Sequence, residues 1–362
     1  MTGFQYEKDS DNIVTVTMDM PGQPVNTMSA EYEMYMQETL DRLDSEIDEV
    51  VGIIFTSAKK TFFAGGDLKS LVAVEKEGQP SFFEMVERQK AQLRRFETLG
   101  KPVVAAINGA AIGGGLEIAL ACHHRVAIDS PKTQLGFPEV TLGLLPGCGG
   151  IVRLVRMLGL EKALPYLIEG KSIKAVEALS IGMVDELASD LDDMIAKAKS
   201  WIKAHPESAQ PWDQKGFKIP GGTATSPHIA GMLVMAPAGI FRKSKGLQPA
   251  PGTILAVAAE STLVDFDAAA RIESRGLTKL IVTPVAKNLI NTFFFGMNAL
   301  KSGESRPKNI ERCQVGKVGV LGAGMMGQGI AYVAAKAGIE VVLKDVSVES
   351  AEKGKAYSEK LL

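Results

Sequence analysis

Between Val103 and Ile128 the sequence is apolar enough to be buried throughout, yet it carries Asn108, Glu117, His123, His124 and the triplet Gly113-Gly114-Gly115. Charged groups and a glycine triplet do not suit a membrane span, and the stretch reads as a buried core with something inside it. A similar arrangement occurs earlier in the chain. Val50–Thr56 reads as a buried strand, the loop Ala64-Gly65-Gly66-Asp67 follows it, and a helix covers roughly Phe82–Leu99. Pro102 then opens the next buried strand, Val103–Ile107, which leads into the second glycine loop, Gly109–Gly115. Two successive runs of strand, glycine loop and helix predict an α/β architecture with helices packed outside sheets.

The rest of the chain fits around these two runs. Ile13–Met18 has the alternation of a strand, Pro21-Gly22 turns the chain, and Ser29 caps a helix through Met34, Leu40 and Leu43. The methionines between residues 18 and 36 suit core filling. Residues 151–204 are mainly helical, with Gly159, Gly170 and Gly182 as stops. Residues 205–252, rich in Pro, Gly, Ser and Thr, read as loops around short helices. Helical periodicity returns over 253–300, and Ser302–Asn309 is a polar linker.

Composition excludes several functions. A formal net charge of −2 with scattered Lys and Arg gives no footprint for a nucleic acid. Cys122, Cys148 and Cys313 are far apart and lack metal-ligand spacing, so no metal site is expected and the thiols read as reduced packing groups. Residues 1–12 are charged and contain no apolar run, which predicts a cytoplasmic protein without a signal peptide.

Each glycine loop could let the backbone approach a ligand and direct its N–H groups at one spot, although a tight turn alone would also explain it. Glu117 at a helix start and Glu139 in Leu135-Gly136-Phe137-Pro138-Glu139 are carboxylates among apolar neighbours. Burial and a neighbouring like charge both raise a carboxyl pKa, which equips such a pair for proton transfer. His123 and His124 have no Cys or Asp partner motif and are assigned structural roles.

Three segments together resemble the crotonase superfamily, in its order and at nearly its spacing. They are Phe63 to Lys69, Ile107 to Glu117, and Leu135 to Glu139 continuing through Leu144 to Gly150. The likeness is strongest to the hydratase half of multifunctional fatty-acid β-oxidation enzymes of the α-subunit type. It implies a crotonase-like ββα spiral over 1–190 and a helical extension and linker over 191–310. It further implies that the N–H groups of Gly66 and Gly114 form an oxyanion hole and that Glu117 and Glu139 handle water and its proton. The family usually has alanine where Gly66 stands. Ala64, Asp67, Leu68 and Lys69 would contact the acyl-CoA substrate, and hydration itself needs no cofactor. Alternatives are a Δ3–Δ2 enoyl-CoA isomerase, which typically works with one carboxylate, and a non-catalytic half that docks a thiolase. Homo-oligomer formation is a further expectation.

Lys317–Leu321 reads as a strand entering Gly322-x-Gly324-x-x-Gly327, with a helix over Gln328–Ala337, a strand over Ile339–Leu343 and then Asp345. This is a dinucleotide-binding βαβ pattern. It resembles the opening of 3-hydroxyacyl-CoA dehydrogenases, with Met326 beside the pyrophosphate and Asp345 beside the adenosine ribose. Residues 311–362 are therefore expected to be a partial Rossmann unit. NAD is expected to act only in a full-length parent, and this polypeptide is expected to bind it weakly or not at all.

Overall fold

In the computed structural model, which describes residues 3–311 and 313–361, the chain divides after Lys301 into a larger and a smaller part. In the larger part the strands are β1 (Phe4–Lys8), β2 (Ile13–Met18), β3 (Gly52–Ser57), β4 (Val103–Ile107), β5 (Ala111–Ile112), β6 (His124–Ile128), β7 (Gln134–Gly136), β8 (Ser172–Lys174) and β9 (Glu186–Ala188). Six of them form a sheet in the order β1-β2-β3-β4-β6-β9. All of its pairings are parallel except β1 with β2. A three-stranded sheet, β5-β7-β8, is the second layer.

The central strands lack polar alternation because both faces of the sheet are covered. On one face Ile54, Val104, Ala106 and Val126 pack under Met194, Ala198 and Ile202 of the helix Leu191–Ala204. On the other, Ile53, Phe55, Val103 and Ala105 join the main core with Met36, Leu40 and Leu43 of the helix Ala30–Glu46 and Phe96 of the helix Gln79–Glu97. Ser29 caps the former helix as expected, its hydroxyl accepting the Tyr32 N–H.

Helices dominate residues 227–302, which pack as an outer layer. One correction concerns 205–252. This segment contains an uninterrupted helix of 18 residues, Pro227–Ser244, rather than short helices alone. Pro227 lies in its first turn, where a missing N–H costs nothing. The interior Pro237 hid the helix from a reading based on breakers. Among the described residues no single helix is long and apolar enough to cross a membrane.

In the smaller part, β10 (Lys317–Leu321) and β11 (Glu340–Lys344) pair in parallel. The helices Met325–Lys336 and Val348–Leu361 pack with them. The first helix starts three residues earlier than the sequence suggests, directly after Gly324. The glycine turn therefore runs straight into it.

Candidate active site

The helix Gly114–Ala121 is buried along its whole length, so Glu117 in its first turn is buried too, at 3% exposure. Its position depends on the glycines before it. Gly113 has φ +56°, and a Cβ there would lie 2.4 Å from Glu139 Oε1. A Cβ on Gly115 would lie 2.5 Å from the Phe63 carbonyl oxygen. The triplet thus lets the second glycine loop press against the first and against Glu139.

The two loops meet. Phe63 bridges Ala111, and a Cβ on Gly65 would lie 4.0 Å from the Gly114 nitrogen. The bridge between Met28 and Gly66 is made by the Gly65 carbonyl and the Asp67 N–H, at 2.9 and 3.1 Å. A parallel bridge uses only those flanking groups, so the Gly66 N–H is left free. Gly114 opens its helix, and its N–H is one of the donors that lack an intrahelical acceptor.

Glu117 Oε1 accepts the N–H of Cys148 at 2.6 Å and that of Gly150 at 2.8 Å, while Oε2 has no hydrogen-bond partner among the described residues. Glu139 lies in the 3-10 turn Pro138–Leu142, and its buried Oε2 also has no partner. Two carboxylates therefore each present one oxygen without a protein donor. Burial and the charge of Glu273 push the Glu117 carboxyl up to about 7, against the pull of the two N–H groups and of Lys90. Burial and then the neighbouring Glu117 hold the Glu139 carboxyl well above the usual carboxylate range. A pair in this state can hold a water and share a proton.

A cleft of about 680 Å³ opens onto Glu139 and Gly113. Ala64, Gly66 and Leu68 line it, as do Ile168, Pro251, Leu289, Phe293 and Phe294. Of the expected CoA contacts, Asp67 and Lys69 do not line it. Asp67 caps the short helix Leu68–Val72 by accepting from Lys69 N and Ser70 Oγ, and Lys69 is exposed on that helix. Among the described residues no group of His, Cys, Asp and Glu could hold a metal ion. His123 Nδ1 accepts the Val103 N–H, and His124 stacks on Trp201, so both histidines are structural. Cys148 is buried, and burial with the nearby Glu117 charge pushes its thiol well up, as suits a packing residue.

Sequence reasoning missed the groups behind Glu117. Glu273, fully buried on the helix Phe266–Ile281, accepts the N–H groups of Gly149, Ile151 and Val152 at 2.6, 3.0 and 3.2 Å. Arg153 forks onto Glu97 at 2.7 and 3.0 Å and donates to the Cys148 carbonyl at 2.9 Å. A signal for Glu273 existed. It stands four residues from both Ala269 and Leu277, on the buried stripe of its helix.

Gly66 does not have a left-handed φ, and a Cβ there would touch only the flexible end of Leu71, at 3.2 Å. Gly66→Ala is therefore expected to keep the activity within about a few-fold, because the backbone N–H is unchanged. Stability is expected to change by less than about 1 kcal/mol. Side-by-side assay and thermal melting check this, and loss of activity in a folded variant would contradict it.

Residues 8–211 match the family described as enoyl-CoA hydratase/isomerase, and the chain belongs to that family. Residues 317–362 match the NAD binding domain of 3-hydroxyacyl-CoA dehydrogenase. The fatty acid oxidation complex subunit alpha of Idiomarina loihiensis is 35% identical over 98% of this chain, which spans 49% of that protein's length. An enoyl-CoA hydratase from Bacillus halodurans superposes with a TM-score of 0.56 at 21% identity, covering 80% of this chain and 99% of that one. Human mitochondrial delta3-delta2-enoyl-CoA isomerase gives a TM-score of 0.58 at 20% identity, covering 83% and 99%. At those identities the likeness establishes the shared fold.

In the smaller part the glycine turn and the helix after it are closely packed. A Cβ on Gly327 would lie 1.6 Å from the Gly322 carbonyl oxygen, so only glycine lets the helix pack against the turn. The turn is held by Asp345, which accepts from the N–H groups of Ala323 and Val346. Gly322 and Gly324 have open space where side chains would stand, and Met326 is exposed in the first helical turn.

Proposed function

We propose that this chain hydrates trans-2-enoyl-CoA to 3-hydroxyacyl-CoA in fatty-acid β-oxidation, with Glu117 and Glu139 as the acid/base pair. The observation that carries this reading is the pair of carboxylate oxygens, Glu117 Oε2 and Glu139 Oε2, that have no hydrogen-bond donor among the described residues, beside the two glycine loops. In the proposed reaction the thioester oxygen accepts the N–H groups of Gly66 and Gly114, which makes C3 electrophilic. Water held by the carboxylates loses a proton as its oxygen bonds to C3. The resulting enolate is stabilised at the same two N–H groups and takes a proton at C2 from the carboxyl pair. Backbone donors fixed in a dry site stabilise developing charge without reorganising.

Ala64 and Leu68 border the cleft and suit contact with the substrate thioester or its CoA. Asp67 acts in this reading by fixing the Leu68 helix, and Lys69, exposed on that helix, is proposed to reach a CoA phosphate. Hydration by these groups calls for no cofactor. Domain boundaries are proposed near 190 and 310. For a longer parent protein, Gly322, Gly324, Met326, Gly327 and Asp345 would hold NAD, which would supply hydride acceptance for oxidation of the 3-hydroxy product. Among the described residues β10 and β11 pair only with each other and are largely exposed, and on that ground we expect no NAD reduction. The relative's description as a complex subunit supports a partner subunit, for which a thiolase or a second copy of this chain is proposed. A cytoplasmic location is proposed from the charged N-terminal residues alone.

The test pits hydration against double-bond migration. With a 3-enoyl-CoA as sole substrate, the chain is expected to give little conjugated product, whereas trans-2-enoyl-CoA gains the mass of one water. Rapid conjugation of the 3-enoyl substrate with no hydration of the 2-enoyl one would make it an isomerase.

A further inference from the structure

We propose that Glu273 and Lys90 form a positioning pair for Glu117, through which the outer helical layer sets the orientation and charge environment of that carboxylate. The proposal rests on the reading of Glu117 as a reacting group. Its basis is how the N–H groups from Cys148 to Val152 are shared. Glu117 takes those of Cys148 and Gly150, and Glu273 takes those of Gly149, Ile151 and Val152. The two carboxylates thus grip one turn from two sides, so displacement of either moves the donors of the other. Glu273 has no exposure and approaches no solvent.

A buried carboxylate needs a countercharge, and Lys90 Nζ supplies it at 3.1 Å from Glu273 Oε1. Lys90 is itself anchored by the Ala270 carbonyl on the Glu273 helix. The pair therefore joins the helix Gln79–Glu97 to the helix Phe266–Ile281 directly behind the turn. Neither side chain lines the substrate cleft, so they act through the turn and through their charges.

The charges facing this pair and Glu117 are few. Glu139 lies on the cleft side, Arg153 and Arg156 on the helix beyond the turn, Glu97 and Glu87 on the Lys90 helix. Tyr32 and Cys148 are the neutral titratable neighbours. Glu97 and Arg153 are paired with each other, and Glu87 accepts from Ser274. Against this background, the Glu273 charge disfavours ionisation of Glu117 and the Lys90 charge favours it.

The experiment compares Glu273→Gln, Lys90→Gln and the double variant, in the full 362-residue chain, with Glu117→Gln as reference. The pH dependence of kcat/KM for crotonyl-CoA hydration is read together with thermal melting. Glu273→Gln is expected to move the limb set by Glu117 down by on the order of one pH unit, and Lys90→Gln to move it up by a similar amount. The double variant is expected to return close to the wild-type limb. Turnover is expected to fall by about tenfold to a hundredfold in Glu273→Gln, with KM changed less than about threefold. A role confined to stability would lower the melting temperature and leave the limb in place. Unmoved limbs, or limbs that move the same way, overturn the proposal. Should Glu273→Gln fail to fold, Glu273→Asp, Lys90→Gln and the double variant decide. Glu273→Asp keeps the charge, and the proposal requires a wild-type limb with reduced turnover. If Glu117→Gln hydrates crotonyl-CoA as well as wild type, the reading of Glu117 itself has failed. If it is inactive while the pair's variants keep the wild-type limb, only this inference has failed.

Discussion

Glu139→Gln and Glu117→Gln are each expected to lower kcat for enoyl-CoA hydration by about 10²–10⁴-fold while the protein stays folded. Glutamine keeps the shape of each side chain but cannot take up or release the proton. In Glu117→Gln the amide oxygen can still accept from Cys148 and Gly150, so the turn behind the site stays in place. Stability is expected to move the other way. The Glu117 carboxyl rises from 4.5 to about 7 on folding, so the folded state holds its proton more tightly than the unfolded state. Ionisation therefore costs nothing below about pH 4.5, and the full penalty is present above about pH 7, on the order of 3 kcal/mol. Glu117→Gln removes that penalty. It is expected to melt higher than wild type at pH 8 and to lose the advantage near pH 4.5. Melting curves at the two pH values check this, and a variant less stable than wild type at pH 8 would contradict it.

Arg153→Met is expected to destabilise the fold by about 3–5 kcal/mol, measured by urea unfolding. Arg153 is 1% exposed and holds Glu97 with two hydrogen bonds while donating a third to the Cys148 carbonyl. Methionine fills much of the volume but leaves Glu97 buried, with only Arg94 among the described residues as a countercharge, at 3.2 Å. The loss comes mainly from that stranded carboxylate, so Arg153→Met with Glu97→Gln is expected to be more stable than Arg153→Met alone. A single variant within about 1 kcal/mol of wild type would show that the pair is dispensable. Activity should fall as well, because the freed carbonyl belongs to the turn that holds Glu117.

Much of the fold is legible in the sequence. The buried strands at 50–56 and 103–107 announced themselves as apolar runs of strand length. The glycines after them could be placed because little else fits φ +56° at Gly113 or the contact of Gly115 with Phe63. Strands β10 and β11 were found within one residue because the glycine turn between them punctuates the sequence. The helix Pro227–Ser244 was hidden because two prolines read as breakers, although one sits where a helix begins. The short strands β7, β8 and β9, three residues each, are too brief to carry a period and exist through their partners.

The site was legible in part for a related reason. Glu117 and Glu139 stand out as carboxylates inside apolar sequence next to the glycine loops. Glu273 is separated from Gly149 by more than a hundred residues, and only tertiary packing brings it behind the turn. Lys90 and Glu97 sit among other charged residues of one helix, where nothing local separates a buried charge from a solvated one. The cleft wall at Phe293 and Phe294 likewise depends on how the outer helices fold back. The motif around Asp67 says nothing of its local role, which is to cap the Leu68 helix.

The most direct measurement is the conjugated absorbance of crotonyl-CoA incubated with the 362-residue chain in ¹⁸O-labelled water. Rapid loss of that absorbance and one labelled oxygen in the 3-hydroxyacyl product are expected. Unchanged absorbance with a folded chain, for crotonyl-CoA and for a long-chain enoyl-CoA alike, would contradict it.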